Sequence, residues 1–201
     1  MESALFQLRD GSRAGRALYL RAVSTHFDHV GVEARARSAE QLLAACKRWA
    51  AALPSAALVV CGDFNSTKVE SPAYARLVAA PAAERSSARH WLKDVARAVD
   101  KRIGPRLRST IHKFQGTAFD SGRGDGTVDL GAHGGDASED AGHIDWLFWR
   151  NGHGLRLRPC AYEVVTETLP GGRYPSDHFP IHASFEVELP EEATPLPHSR
   201  L

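Results

Sequence analysis

The chain has 201 residues, of which 43% are hydrophobic, and a formal net charge of +1. This length is enough for one domain with a sizeable core, and the balanced charge gives no overall basic signature for a nucleic-acid partner. No apolar run approaches the ~20 residues needed to span a bilayer. The three cysteines are widely spaced, and residues 1–4 contain no secretory signal. We therefore expect a soluble intracellular protein, located in the cytoplasm, with reduced thiols.

The first half of the chain predicts a strand, a long helix and a second strand. Residues 17–27 are mostly apolar on both faces of a strand and end in a polar cluster. Residues 33–53 carry apolar side chains at spacings of three and four, which predicts a helix. Residues 58–61 form a short apolar run typical of a strand buried on both faces, and Gly62 permits a tight turn directly after it.

The second half predicts shorter elements. Helices are expected at 73–80 and 90–99, an extended segment at 109–116, and strands at 143–149, 155–157, 161–165 and 181–189. The last strand alternates, with Ile181, Ala183, Phe185, Val187 and Leu189 expected to face a core. Residues 120–142 are rich in Gly, Asp and Ser and predict a mobile loop. Strands interleaved with helices predict an α/β or α+β domain over residues 1–189, with a disordered tail at 190–201.

Polar side chains stand at the ends of several predicted strands. These candidates are His26, Asp63, Asn65, Asp145, Asp177 and His178. Each also has a structural interpretation. Asp63 and Asn65 could cap their own backbone in an Asx-turn, and Asp177 could be a turn residue. His26 could be a hydrogen-bonded core histidine, and Asp145 could satisfy a loop amide. The recurrence at strand ends favours a functional site.

These residue types suit hydrolysis of a phosphate ester. The side-chain oxygens of Asp63, Asn65 and Asp177 are suitable ligands for a hard cation, Mg²⁺ or Mn²⁺, which neutralises phosphate charge. A carboxylate can deprotonate the attacking water, while imidazolium and amide donors stabilise the charge on phosphate oxygens. A histidine paired with a buried aspartate is held in one tautomer and keeps its proton more easily.

Four segments resemble, in order, the motifs of the endonuclease/exonuclease/phosphatase superfamily. They are residues 25–29 (THFDH), 62–65 (GDFN), 143–148 (HIDWLF) and 174–180 (YPSDHFP). The segment 110–116 (TIHKFQG) is similar to a lesser motif of one branch. The resemblance spans residues 17–187, and it rests on four motifs in series rather than on any one of them.

The resemblance implies a DNase I-like four-layer β-sandwich flanked by helices, and a metal-dependent phosphoesterase. Asp63 would orient or deprotonate the attacking water, and Asn65 would hold the phosphate or a second metal position. His178 would contact the scissile phosphate with Asp145 as its hydrogen-bond partner. Asp177 would be a cation ligand and His26 a second histidine on the phosphate side. The superfamily acts on nucleic acids, inositol phosphates and sphingolipid phosphodiesters, so the motifs predict the reaction and leave the substrate open.

The chain departs from the family pattern in its first part. Family members carry an earlier half-domain, which supplies a first-strand asparagine and the glutamate that is the main metal ligand. We expect the sandwich to lack these N-terminal strands and to expose apolar surface and sheet edges. Three explanations are open: a fragment of a longer chain, a missing half supplied by another chain, or a chain without activity. The alternative function is therefore a phosphate-ligand binding module that lacks the metal-binding glutamate.

Overall fold

The computed structural model describes residues 1–8, 17–68, 71–78, 91–99, 101–103, 107, 109–118 and 142–188. The strands are β1 (Glu2–Leu8), β2 (Leu18–His26), β3 (Ala57–Asp63), β4 (Lys93–Asp94), β5 (Arg102–Ile103), β6 (Asp145–Arg150), β7 (Arg156–Val164) and β8 (Ile181–Glu188). The helices are α1 (Val32–Ala52), α2 (Pro72–Val78) and α3 (Val95–Ala98), with one 3₁₀ turn at Gly116–Ala118. One sheet has the order β1-β2-β3-β6-β4 and a second has the order β5-β7-β8.

Alternate residues of the central strands face two separate cores, because successive side chains of a strand point to opposite faces. On one face, Val60 of β3 and Trp146 and Phe148 of β6 pack against Leu42 of α1 and Leu77 of α2. We call this cluster the helix-side core. Each fully buried apolar side chain contributes about 1.5–3 kcal/mol, so this core fixes the helices on the five-stranded sheet.

The opposite face of the same sheet packs against the three-stranded sheet. Ala57 of β3 and Leu147 and Trp149 of β6 share a buried cluster with Leu157 and Tyr162 of β7. We call this cluster the inter-sheet core. The described part of the molecule is thus a β-sandwich with helices on one side, which confirms the predicted fold class.

The strand directions bring three chain segments to one edge of the sandwich. Strand β3 runs parallel to β2 and antiparallel to β6. The carboxyl ends of β2 and β3 therefore lie beside the amino end of β6. At this edge His26 is the register partner of Asp63, and Asp63 is the register partner of Asp145. Residues in one cross-strand row point to the same face, and for this row it is the face of the inter-sheet core.

Most strongly periodic segments fold as predicted. The predictions at 17–27, 33–53 and 58–61 correspond to β2, α1 and β3, and those at 143–149 and 181–189 correspond to β6 and β8. The helix at 73–80 is observed as α2. The predicted loop at 120–142, apart from Gly142, and the predicted tail lie outside the described residues.

Several predictions were wrong in detail. Strand β1 was not predicted, because its side chains stay largely exposed on an edge and show little periodicity. The helix predicted at 90–99 is instead the short strand β4 followed by the single turn α3, because Lys93 and Asp94 pair with β6. The strands predicted at 155–157 and 161–165 are one strand, β7, with a register shift after Pro159. Val187 was expected in the core but is 51% exposed on the edge strand β8.

The described residues contain no helix that is both long enough and apolar enough to cross a membrane. The three cysteines, Cys46, Cys61 and Cys160, are unpaired thiols. Burial raises the pKa of Cys46 to about 12, so its thiol stays protonated and serves as a small apolar side chain in the helix-side core.

Candidate active site

The first part of the candidate site is the cross-strand row at the edge of the five-stranded sheet. His26 ends β2, Asp63 ends β3 and Asp145 begins β6. The Nε2 atom of His26 lies 3.3 Å from an Oδ2 carboxylate oxygen of Asp63. The Asp63 side chain is only 18% exposed, whereas the His26 side chain is 73% exposed. The row therefore has a buried acidic end and a histidine that is open to a ligand.

The second part is a histidine from the loop that precedes β8. The Nδ1 atom of His178 lies 3.0 Å from Oδ2 of Asp145. This pairing fixes the ring orientation and leaves Nε2 of His178 free for a ligand. The backbone N–H of His178 also donates to the Ser176 hydroxyl at 3.1 Å. The hydrogen bond between His178 and Asp145 that the resemblance implies is present, and the catalytic roles of the two residues stay predictions.

The turn after β3 shapes the environment of Asp63. The backbone N–H of Asn65 donates to Oδ1 of Asp63 at 2.8 Å, which is an Asx-turn, and Nδ2 of Asn65 donates to the Phe27 carbonyl at 2.9 Å. Asn65 has a φ of 47°, so it lies in the turn, and the direction of its side chain is set by the turn and not by the alternation of a strand. A Cβ on Gly62 would lie 1.9 Å from the Thr25 carbonyl oxygen, so the close approach of β2 requires glycine.

A buried threonine, Thr110, lies between the segment that carries Asp145 and the segment that carries His178. The Thr110 side chain, in a residue that is 0% exposed, accepts hydrogen bonds from the backbone N–H groups of Ile144 and Asp145, both at 3.2 Å. Its carbonyl accepts from the N–H of Phe179 at 2.8 Å. Ile111 forms an isolated antiparallel bridge with His178. The segment 110–111 therefore holds Asp145 and His178 in place from the side of the three-stranded sheet.

Asp177 and His112 connect the same two segments. The Asp177 carbonyl accepts from the N–H groups of His112 at 2.7 Å and Lys113 at 3.1 Å. The His112 ring is 1% exposed and stacks on Phe179 with 3.9 Å between ring centroids. Its Nδ1 atom accepts from the Gly116 N–H at 3.1 Å. Because burial lowers the pKa of His112, the ring is neutral at pH 7 and acts as a structural support.

Two groups of the site, His178 and Asp63, have a raised pKa. The hydrogen bond that the His178 ring donates to Asp145 raises the pKa of His178 above its usual value of 6.5, although burial of the ring acts against this shift. Burial raises the pKa of Asp63 above 3.8, and the neighbouring Asp145 charge adds to the rise. The Asn65 amide and the two histidines oppose it. His178 is thus favoured as a proton donor and Asp63 becomes a stronger base.

The cluster also has the composition of a cation site. One ligand atom each from Asp63, Asp145 and His178 lie within 4.8 Å of one another. The two carboxylates fit Mg²⁺ or Mn²⁺, since these ions prefer oxygen ligands, and the imidazole of His178 lies beside them. The sequence predicted Asp63, Asn65 and Asp177 as ligands, so the observed cluster shares only Asp63 with that set. The ligand roles of Asn65 and Asp177 stay predictions.

The structure brings the predicted site residues together at one edge of the sandwich. Sequence reasoning missed Thr110, although the segment 110–116 had been noted as a lesser motif. A hydroxyl that accepts backbone hydrogen bonds has no signature in sequence spacing. The side chain of Asp28 accepts hydrogen bonds from the N–H groups of Val30 at 2.8 Å and Gly31 at 2.5 Å, and it therefore shapes the turn before α1.

No protein-family model and no curated protein sequence matches the chain. Solved structures do match. The chain aligns with an endonuclease/exonuclease/phosphatase protein from Bacteroides vulgatus at 23% identity and a TM-score of 0.55, covering 94% of this chain and 66% of that one. It aligns with the mannosyl-6-phosphatase Bt3783 from Bacteroides thetaiotaomicron at 21% identity and a TM-score of 0.56, covering 86% of this chain and 52% of that one.

A eukaryotic structure shares the same fold. Truncated TDP2 from Caenorhabditis elegans aligns at 16% identity and a TM-score of 0.53, covering 92% of this chain and 66% of that one. At these identities the likeness establishes the fold, so the predicted DNase I-like architecture is confirmed. The chain spans about half to two thirds of the length of these structures, and its activity, substrates and partners are matters for proposal.

Proposed function

From the fold of endonuclease/exonuclease/phosphatase proteins, we propose that the chain hydrolyses a phosphoester by in-line attack of water on phosphorus. The observation that carries this proposal is the cluster of Asp63, Asp145 and His178, whose ligand atoms lie within 4.8 Å of one another. The fold neighbours include a mannosyl-6-phosphatase and TDP2, which supports a phosphoesterase of the phosphatase, phosphodiesterase or nuclease type.

Each residue has a chemical role in this proposal. Asp63 orients and deprotonates the attacking water, because its raised pKa makes it a better base than an exposed carboxylate. His178, protonated and held by Asp145, donates from Nε2 to a phosphate oxygen and stabilises its growing negative charge. The ring of His26, which lies beside Asp63, and the side-chain N–H₂ group of Asn65 orient the phosphate.

A divalent cation, Mg²⁺ or Mn²⁺, is proposed at the same site. The carboxylates of Asp63 and Asp145 are the groups that would hold it beside His178, with Asp177 and Asn65 as further candidates. When bound, such a cation neutralises phosphate charge and lowers the pKa of water. The free thiols support a proposed intracellular, cytoplasmic location, since such compartments keep cysteines reduced.

The proposal is tested by hydrolysis of bis-p-nitrophenyl phosphate and p-nitrophenyl phosphate with Mg²⁺ or Mn²⁺. We expect turnover that falls at least 100-fold in Asp63→Ala and in His178→Ala, in the range typical of lost acid-base groups. His182→Ala is the matched control, because His182 also pairs with a carboxylate, that of Glu163 at 3.8 Å, and its side chain is 61% exposed.

Two results would count against the proposal. Turnover that survives both site substitutions would place the chemistry elsewhere. A folded chain that binds phosphate ligands without hydrolysing either ester would favour the binding-module alternative, in which the phosphate-side residues serve recognition alone.

A further inference from the structure

The turn formed by residues 112–116 has an unusual backbone. Lys113 and Phe114 have φ angles of 45° and 64°, and Gly116 has 66°. Positive φ is a real outlier for a bulky side chain such as that of phenylalanine, and it costs about 1–3 kcal/mol per residue. A Cβ on Gly116 would lie 2.2 Å from the Tyr174 hydroxyl, so glycine is required there. The surroundings therefore force this turn into a single shape.

The contacts that hold the turn come from the candidate site itself. The N–H groups of His112 and Lys113 both donate to the carbonyl of Asp177, the residue before His178. Within the turn, Gln115 N–H donates to the His112 carbonyl at 2.8 Å, and Gly116 N–H donates to Nδ1 of His112. The turn is thus hydrogen-bonded internally and to the loop that carries His178.

Three aromatic rings contact one another in a row from the loop that carries His178 to the solvent. The first ring, Phe179, is 3% exposed and stacks on His112, which is 1% exposed. The third ring, Phe114, meets the edge of the His112 ring with 6.5 Å between centroids and is 62% exposed. A single exposed apolar residue is ordinary. A strained turn that exposes a phenylalanine to water, and that is hydrogen-bonded to the residue before His178, calls for a functional reason, since strain of this kind clusters at ligand-binding sites.

We propose that Phe114 is a specificity-determining residue, whose exposed ring stacks on a flat unsaturated ring next to the phosphate of the substrate. The inference rests on the proposed function, because it places this ring beside the phosphate held at His178. The substrate class is then a phosphoester with a planar ring in its alcohol part, as in a nucleotide. The hydrogen bonds of the turn are present without a ligand, so we expect stacking on Phe114 to cost little ordering entropy.

Binding measurements test this without relying on turnover. Dissociation constants for adenosine 5′-monophosphate and ribose 5-phosphate are measured by calorimetry on the full chain carrying Asp63→Ala, which removes the proposed base. We expect adenosine 5′-monophosphate to bind about tenfold more tightly, the effect of stacking one base. Adding Phe114→Ala should remove this difference, and Phe114→Trp should keep it. Phe6→Ala is the control, since Phe6 is a comparably exposed phenylalanine on β1, at 50%.

Any of three results would overturn the inference: equal binding of the two ligands, a preference that survives Phe114→Ala, or no binding of either ligand at millimolar concentration. Failure of the proposed function has a different signature. In that case the unsubstituted chain hydrolyses no phosphoester, while the preference for the ring-bearing ligand and its loss in Phe114→Ala are still observed.

Discussion

At the scale of single residues, the hydrogen-bonded pair of Asp145 and His178 favours the protonated form of the His178 imidazole. The hydrogen bond at 3.0 Å raises the pKa of His178. A folded-state pKa above the unfolded value stabilises the fold fully below about pH 6.5, and this contribution is lost as pH rises through the raised pKa. The charged form of His178 therefore couples the site to the stability of the metal-free chain.

Asp145→Asn tests this coupling. The amide removes the negative charge, so we expect the pKa of His178 to fall in the metal-free chain, as followed by NMR of the imidazole protons in EDTA. Hydrolysis should fall about 10²- to 10⁴-fold, the usual contribution of a positioned acid. An unchanged His178 pKa would mean that Asp145 does not hold the proton on the ring.

Asp63 is expected to carry a cost in stability. Its pKa is raised by burial and by Asp145, so ionisation of Asp63 destabilises the fold as pH rises above about 3.8. Asp63→Asn keeps the shape and the acceptor for the Asn65 amide but removes the charge. We expect a higher melting temperature than the unsubstituted chain at pH 7 in EDTA, with the difference shrinking toward pH 4. A lower melting temperature at pH 7 would contradict the assignment.

At the scale of elements, the segment with Thr110 joins the two sheets at the site. Its hydroxyl satisfies the N–H groups of Ile144 and Asp145 at the start of β6. Thr110→Val keeps the shape but removes the acceptor of both N–H groups, and each buried N–H left unpaired costs about 1–3 kcal/mol. We expect Thr110→Val to lower both stability and kcat, whereas Thr110→Ser restores both because it keeps the hydroxyl.

A control separates positioning from general loss of stability. Leu77→Ala removes a 0% exposed side chain from the helix-side core and costs about 2–5 kcal/mol. Its folded fraction should keep the kcat of the unsubstituted chain. If Leu77→Ala lowers kcat as much as Thr110→Val does, Thr110 has no specific positioning effect.

A buried ion pair supports the edge strand β4. Nζ of Lys68 lies 2.6 Å from Oδ2 of Asp94, with side chains 1% and 3% exposed. Tyr74 also donates its hydroxyl to Oδ2 of Asp94 at 2.8 Å. Lys68→Met leaves the buried Asp94 carboxylate with the more distant Arg97 guanidinium, whose Nε lies 3.8 Å from Oδ2, so we expect a loss of up to about 3–5 kcal/mol in the free energy of unfolding, measured by urea denaturation. The double variant Lys68→Met/Asp94→Asn should recover part of the loss, and no recovery would contradict this account.

The elements differ in how far the sequence predicts them. Helix α1 and strand β3 carry strong periodic or apolar signals, so burial decides their structure locally. Strand β4 cannot be predicted in this way, because Lys93 and Asp94 become extended only through pairing with β6. The contacts of Asp94 with Lys68 and Tyr74 are equally long-range and leave no local pattern.

At the scale of the whole molecule, the motif order predicts both the fold and the meeting of the site residues. The motif order predicts this meeting because the carboxyl ends of β2 and β3 and the amino end of β6 lie at one edge of the sheet. On the edge strand β1, Leu5 is 44% and Phe6 is 50% exposed, and the expectation that missing strands leave apolar surface exposed stays a prediction. The expectation that a longer chain supplies further strands and a glutamate ligand stays a prediction.

The central claim is that the carboxylates of Asp63 and Asp145 hold a divalent cation beside His178 for phosphoester hydrolysis. Its most direct test is a titration of Mn²⁺ into the EDTA-stripped chain, with bound Mn²⁺ followed by electron paramagnetic resonance and turnover of bis-p-nitrophenyl phosphate measured in the same samples. We predict that turnover rises with occupancy of one site, and that Asp63→Asn loses both while His182→Asn keeps both. Full turnover in EDTA, or Mn²⁺ binding unchanged in Asp63→Asn, would contradict the claim.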